Sequence, residues 1–196
     1  MKKNIERVGI FGGTFNPPHM GHLLIAERAR ETAELKKVIF IPAFQPPHKV
    51  GREIIPPKHR LEMTKLAVKG NRWFEVSDIE MRQAGISYTV QTLRVLRTML
   101  PGTELFLILG SDSLAEYDSW KEPGEIRAMA DLLVYARGNE STNHLPPGVE
   151  LVRGPMVGIS STDIRSRVSR SMSIRYLVPA SVESYIRKHR LYHPHP

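Results

Sequence analysis

Two imidazoles three residues apart, His19 and His22, close a turn rich in glycine and proline, "GIFGGTFNPPHMGH" (9–22). At such a place imidazole can donate to a phosphate, ligate a metal or simply pack within the turn. Metal binding is the weakest of the three, because H-x-x-H is not the H-E-x-x-H pattern and the chain has no cysteine. The turn is not a P-loop, since the G-x-x-x-x-G-K-[ST] lysine is missing, and it does not match G-x-G-x-x-G. Further along, "GISSTDIRSR" (158–167) sets Ser160, Ser161 and Thr162, each a candidate N-cap, about one turn ahead of Arg165. Hydroxyls, helix N–H groups and a guanidinium in one place suit a polyphosphate. Such helix starts are common, so this second motif gains its weight from the first.

Bringing these side chains together requires an ordered set of elements, and the apolar runs supply one. Strands are expected at 7–11, 37–41, 73–79, 104–109, 131–136 and 149–152, mostly as fully buried runs. Helices are expected at about 20–35, 58–69 and 88–100, with a shorter one within 111–129. This alternation predicts an α/β fold with a parallel sheet covered on both faces. Ligands of open sheets sit beyond the C-terminal ends of the strands. Gly12 and Gly13 fall there, where missing side chains permit close approach of a ligand and positive φ. Pro17 and Pro18 bar a helix through the turn, so the first helix starts near Met20. His19 and His22 then flank its N-terminus, where free N–H groups and the dipole attract anions. After residue 150 come helical patches in "STDIRSRV" and "SIRYLV", then a helix opened by Pro179.

The 196 residues are 41% hydrophobic and 24% charged, within the range of one domain that buries its own core. A core over about 1–150 and a smaller part over about 151–196 are expected within it. The chain has no apolar run of about 18 residues, no signal-peptide pattern at its lysine-rich start and no cysteine. Those features fit a cytoplasmic protein with no membrane partner. Of the formal charge of +8, a balance of +6 falls after residue 150, where eight Lys/Arg meet only Asp163 and Glu183. A nucleic-acid-binding module would use such a segment. It would leave both phosphate motifs idle, and no basic stripe interleaved with aromatics is present, so no nucleic-acid partner is expected. A solvated helical surface accounts for many of these arginines.

G-T-F-x-P-x-H-x-G-H, here "GTFNPPHMGH" (13–22), and I-S-S-T-x-I-R, here "ISSTDIR" (159–165), resemble the signatures of the nucleotidyltransferase superfamily. "PPHK" (46–49), "GISYTVQTL" (85–93), "LGSDSLAEYDSW" (109–120) and "SIRYLVPASVESYI" (173–186) extend the likeness over nearly the whole chain. In motif content and order it is similar to the bacterial nicotinate mononucleotide adenylyltransferases. The resemblance implies a single nucleotidyltransferase domain, a Rossmann-like doubly wound parallel sheet with a small C-terminal helical part. It also implies a step of NAD biosynthesis in which the 5′-phosphate of nicotinate mononucleotide takes the AMP moiety of ATP and pyrophosphate leaves. The attacking phosphate is already an anion, so catalysis reduces to positioning and charge neutralisation, with no general base or covalent intermediate. The implied catalytic donors to the ATP phosphates are His19, His22 and Arg165. Ser160, Ser161 and the backbone N–H groups of Gly12, Gly13, Thr14 and Phe15 assist them. The implied cofactor is Mg²⁺, held mainly by substrate phosphates and water. Asp112, after the fourth strand, either borders the crevice, at the ribose or a magnesium-bound water, or caps the next helix.

For nicotinate mononucleotide the resemblance points to Thr89 and neighbouring backbone at the carboxylate, and to Trp120 as a stacking surface for the pyridine ring. Lys49 could reach the mononucleotide phosphate or be solvated; Trp120 has the alternative of a core anchor, and Tyr88 reads as packing. One position departs from the family, whose S-Y-T-x-D-T-L is S-Y-T-V-Q-T-L here, so that Gln91 keeps a hydrogen bond and loses a charge. Nicotinamide mononucleotide is the nearest alternative acceptor, because amide and carboxylate differ at one edge of the ring. Phosphopantetheine is disfavoured by the "SYT" and "DSW" segments. A homodimer is an expectation at family level only.

Overall fold

The structure, a computed structural model, describes residues 5–49, 54–136 and 148–193. Six strands, β1 (Arg7–Gly13), β2 (Lys37–Pro42), β3 (Phe74–Val76), β4 (Glu104–Gly110), β5 (Asp131–Tyr135) and β6 (Val149–Val152), form one sheet in the order β3-β2-β1-β4-β5-β6. Every neighbouring pair is parallel. Parallel neighbours need crossovers, and the first four contain helices. These are α1 (Met20–Thr32), α2 (Pro57–Val68), the pair α3 (Ile79–Gln83) and α4 (Thr89–Met99), and the pair α5 (Ser111–Ala115) and α6 (Pro123–Met129). Helices α7 (Ser161–Ser169) and α8 (Ala180–Lys188) follow β6. The order is that of the doubly wound Rossmann fold, with its reversal between β1 and β4.

The unbroken apolar runs follow from two cores. Ile39 and Ile41 of β2, Leu105, Leu107 and Leu109 of β4, and Leu132 and Val134 of β5 pack with Val90, Leu93 and Leu96 of α4 on one face. The residues between them, Val38, Phe40, Phe106, Ile108, Leu133 and Tyr135, pack with Ala26 and Ala29 of α1 on the other. Side chains alternate with period two, so a strand buried on both faces loses its polar half. A third cluster joins Met63 and Ala67 of α2 to Ile164 and Val168 of α7 and Val182 and Ile186 of α8. The C-terminal part is thereby fastened to the sheet's own covering helix.

Three expectations are corrected. The strand expected over 73–79 is only Phe74–Val76, and Ile79 instead opens α3, whose Ile79 and Glu80 are buried. "SIRYLV" is not helical; it folds back on itself through a bridge between Arg175 and Val178. Its Leu177 carbonyl accepts from the N–H of Met20 at 2.9 Å, so the first amide of α1 is already used and is not free for an anion. No described helix is long and apolar enough to cross a membrane.

Candidate active site

The turn after β1 packs before it binds anything. Phe15 takes φ 47°, and its ring is buried at 2% exposure against Phe11 and Phe40. Its ring is closed to any ligand of the crevice. A Cβ on Gly13 would stand 2.9 Å from that ring, so the glycine makes room for Phe15 rather than supplying positive φ. Nothing lies within 4 Å of a Cβ built on Gly12, which faces the crevice. Gly21 has a parallel role, since a Cβ there would stand 3.0 Å from His19 Nδ1.

His19 is the N-cap residue of α1 and is buried; its ring lies over that of His22 with centroids 3.7 Å apart. The backbone N–H of His19 donates to His22 Nδ1 at 3.1 Å. An accepting Nδ1 carries no proton, so this bond assigns the Nε2–H tautomer and makes neutral His22 a donor at its far nitrogen. The edge of His22 also meets the Phe15 ring at 5.1 Å between centroids, which limits its rotation.

The second motif docks onto this turn. Ser160 is the N-cap of α7 and its Oγ accepts from the Asp163 N–H at 3.1 Å. Ser161 Oγ donates to the Pro17 carbonyl at 2.8 Å, and Arg165 donates to the Asn16 carbonyl at 2.9 Å across 149 residues. Arg165 also reaches Thr162 Oγ1 at 3.2 Å. From the C-terminal end, Tyr192 donates its hydroxyl to Asn16 Oδ1 at 2.8 Å. Asn16, itself buried, is therefore held through its main chain by α7 and through its side chain by the segment after α8.

Arg60 pins the turn from below. At 1% exposure it donates to the carbonyls of Ile55 (3.2 Å), Thr14 (2.9 Å), Ala43 (2.5 Å) and Phe44 (2.8 Å). Burial lowers its pKa to about 10, which leaves it charged at neutral pH. The Phe44 peptide is gripped at both ends, because its N–H donates to Ser87 Oγ at 2.8 Å. Behind Ser87, buried Glu80 accepts from Thr92 Oγ1 at 2.7 Å, and burial pushes its carboxyl pKa up.

A cavity of about 690 Å³ opens at the C-terminal ends of β1 and β4, where the strand order reverses. Gly12, Gly13, Thr14, His22 and Asp112 line one side, and Thr89 and Trp120 line it as well. Thr89 is the first residue of α4, whose start has no side-chain cap and no acidic residue in its first turn. Trp120 follows a 3-10 turn, Tyr117–Ser119, and packs 5.5 Å from the Tyr117 ring while remaining on the lining. Asp112 is not a helix cap, because Gly110 holds that position in α5. Lys49 ends a 3-10 turn, Pro47–Lys49, and its side chain lies outside the described part. His19, Phe15, Ser160, Ser161 and Arg165 are not on the cavity lining. They stand behind or beside the turn they hold.

The cytidylyltransferase-like family matches residues 10–167. A probable nicotinate-nucleotide adenylyltransferase of Desulfitobacterium hafniense (strain Y51) is 45% identical over 198 residues, covering 95% of this chain and 96% of its own. Another, of Thermus thermophilus, is 45% identical over 186 residues, covering 95% and 99%. The chain belongs to the nicotinate-nucleotide adenylyltransferase family. In fold it resembles the Plasmodium falciparum nicotinic acid mononucleotide adenylyltransferase complexed with NaAD, with a TM-score of 0.79 at 17% identity over 95% of this chain and 97% of that one.

Within this adenylyltransferase several site residues carry no sequence signal. Arg60 sits in "PPKHRLEM", which reads as a solvated helix start, and Glu80 falls in what reads as a strand end. Lys121 lines the cavity beside Trp120 with its Nζ 4.5 Å from the centre of the Tyr88 ring, so Tyr88 does more than pack. Gln91 is exposed on α4 and borders, with Arg94 and Gln83, a second hollow that shares Glu80, Ser87 and Tyr88 with the main cavity; Gln91 itself is not on the main lining. The departure from aspartate therefore falls outside the lining of the main cavity.

Proposed function

We propose that the protein transfers the adenylyl group of ATP to the 5′-phosphate of nicotinate mononucleotide, giving deamido-NAD and pyrophosphate, and that it does so in the cytoplasm as one nucleotidyltransferase domain. The observation that carries the reading is the docking of the second phosphate motif on the first, with Arg165 and Ser161 bonded to the Asn16 and Pro17 carbonyls beside the two histidines. A turn that carries a ring donor, His22, and is clamped by a guanidinium suits a chain of phosphates.

A mononucleotide phosphate oxygen attacks the α-phosphorus of ATP, a new P–O bond forms, and the bond to the bridging oxygen of the β-phosphate breaks. Pyrophosphate carries the electron pair away. His22, its Nε2–H assigned by the bond from His19, donates to the phosphate oxygens as their charge grows. His19 orients His22 through its main chain and the stacked rings. Arg165, off the cavity lining and bonded to the Asn16 carbonyl, holds the turn against which the phosphates lie, while Ser160 caps α7 and Ser161 ties it to the Pro17 carbonyl. The backbone of Gly12, Gly13 and Thr14, on the cavity lining, lies along the nucleotide, and Phe15 packs behind it.

A divalent metal accompanies ATP in this superfamily. Among the described residues no three His, Asp or Glu side chains form a cage for one, but Asp112 supplies a carboxylate on the cavity wall. That donor set fits Mg²⁺, which uses one or two carboxylates together with substrate phosphates and water. When bound, the ion offsets the charge on the phosphates. The uncapped start of α4 at Thr89 suits the nicotinate carboxylate, Trp120 offers its face to the pyridine ring, and Lys49 is assigned to the mononucleotide phosphate.

The test is pyrophosphate release with ATP and Mg²⁺, offering nicotinate mononucleotide, nicotinamide mononucleotide and phosphopantetheine in turn. Turnover is expected with nicotinate mononucleotide above the others. Absence of turnover with either pyridine mononucleotide overturns the reading.

A further inference from the structure

The lining of the main cavity carries three carboxylates, Glu80, Asp112 and Glu116, and among the described residues one Lys or Arg, Lys121. A cavity meant for polyphosphate and a second phosphate has little use for three acids unless cations are placed individually. Lys121 is exposed, immediately follows Trp120, and holds its ammonium 4.5 Å from the centre of the Tyr88 ring. Tyr88 is the N-cap residue of α4, so the Lys121 charge stands beside the same helix start that opens at Thr89. A cation at the positive end of a helix dipole is repelled by it. No acid in the first turn of α4 offsets that repulsion. The cation–π contact with Tyr88 offsets part of that repulsion and fixes where the ammonium lies.

We propose that Lys121 is a specificity-determining residue of the crevice, whose ammonium selects a pyridine carrying a carboxylate over one carrying a carboxamide. This rests on the reading that Trp120 and Thr89 receive the pyridine end of the mononucleotide. Trp120, Lys121 and Thr89 line the same cavity, so the ammonium adds charge attraction for an anionic substituent of a ring held there and none for a neutral amide. Backbone N–H groups alone serve carbonyl oxygens of both. The phosphate is common to the two acceptors, so a charge acting there cannot separate them.

The experiment compares kcat/KM for nicotinate and nicotinamide mononucleotides at saturating ATP and Mg²⁺ in wild type, Lys121→Met and Lys121→Arg. Methionine keeps the apolar stem on Tyr88 and removes the charge. It is expected to lower kcat/KM for the nicotinate form about five- to tenfold and to leave the nicotinamide form within about twofold. Arginine is expected to retain most of the preference, and 0.5 M salt to shrink it in wild type, on the order of the screening of an exposed charge. Equal loss with both acceptors, or no loss with either, overturns the proposal. A wild type inactive on both acceptors overturns the assigned activity instead, whatever the variants do.

Discussion

Asn16 and Tyr192 are 176 residues apart and share one hydrogen bond, the Tyr192 hydroxyl donating to Asn16 Oδ1 at 2.8 Å. Burial pushes the tyrosine pKa up, so its hydroxyl keeps the proton it donates throughout the working pH range. Tyr192→Phe deletes that donor and leaves a buried acceptor on the phosphate turn. The expected cost is about 1–2 kcal/mol of stability, with the KM for ATP raised several-fold. Urea unfolding and ATP titrations check both numbers, and an unchanged KM would mean that the turn keeps its shape without this tie.

His22→Ala removes the Nε2–H donor together with the acceptor for the His19 N–H. The kcat is expected to fall about 10²–10³-fold, as for loss of a donor to developing negative charge. Stability, followed by thermal melting, should fall only by what one capping contact contributes, about 1 kcal/mol. Turnover within tenfold of wild type would remove His22 from the chemistry, and an unfolded variant would make it structural.

Arg60→Lys tests the buried anchor. One ammonium cannot reach the four carbonyls of Ile55, Thr14, Ala43 and Phe44 that the guanidinium fork serves. Stability is expected to fall by about 2–4 kcal/mol, because buried acceptors lose charged donors. Denaturant midpoints of the two proteins measure this directly. Equal midpoints would show that the carbonyls find other partners.

Glu80 gives the fold a pH dependence of definite sign. Burial raises its pKa in the folded protein above that of an ordinary glutamate, only partly offset by Ser87, Thr92, the Phe44 amide and Arg60. The folded state then binds the proton more tightly than the unfolded chain, and the associated stability is complete below the ordinary carboxyl range. It is lost as pH rises from there through the raised value. Glu80→Gln keeps an acceptor for Thr92 and removes this dependence. Urea curves at pH 5 and pH 8 should show the variant gaining on wild type at the higher pH; a constant difference would place Glu80 outside the titration.

Much of the sheet could be read directly from the sequence, because strands buried on both faces leave unbroken apolar runs such as "KVIFI" and "ELFLIL". Short β3 was over-extended into α3, since "SDIE" carries no stop for a strand and its switch to helix depends on Ile79 finding the core below β2. The two phosphate motifs were visible as residue types, but their relation was not. Nothing in "ISSTDIR" announces that Ser161 and Arg165 bond to carbonyls of the first motif. Roles that depend on main-chain partners, as for Arg60, or on a neighbour brought by another crossover, as for Lys121 over Tyr88, leave no periodicity or spacing behind. The positive φ was expected at the glycines and lies at Phe15, because ring burial rather than turn geometry shapes that residue.

The tie from Tyr192 to Asn16 also sets an order in time. A ribosome that has placed Asn16 in a nascent chain must add 176 further residues before the partner of its side chain exists. Arg60, 46 residues on from Thr14, can brace the turn much earlier than Tyr192, so the growing polypeptide gains its two braces at widely separated moments.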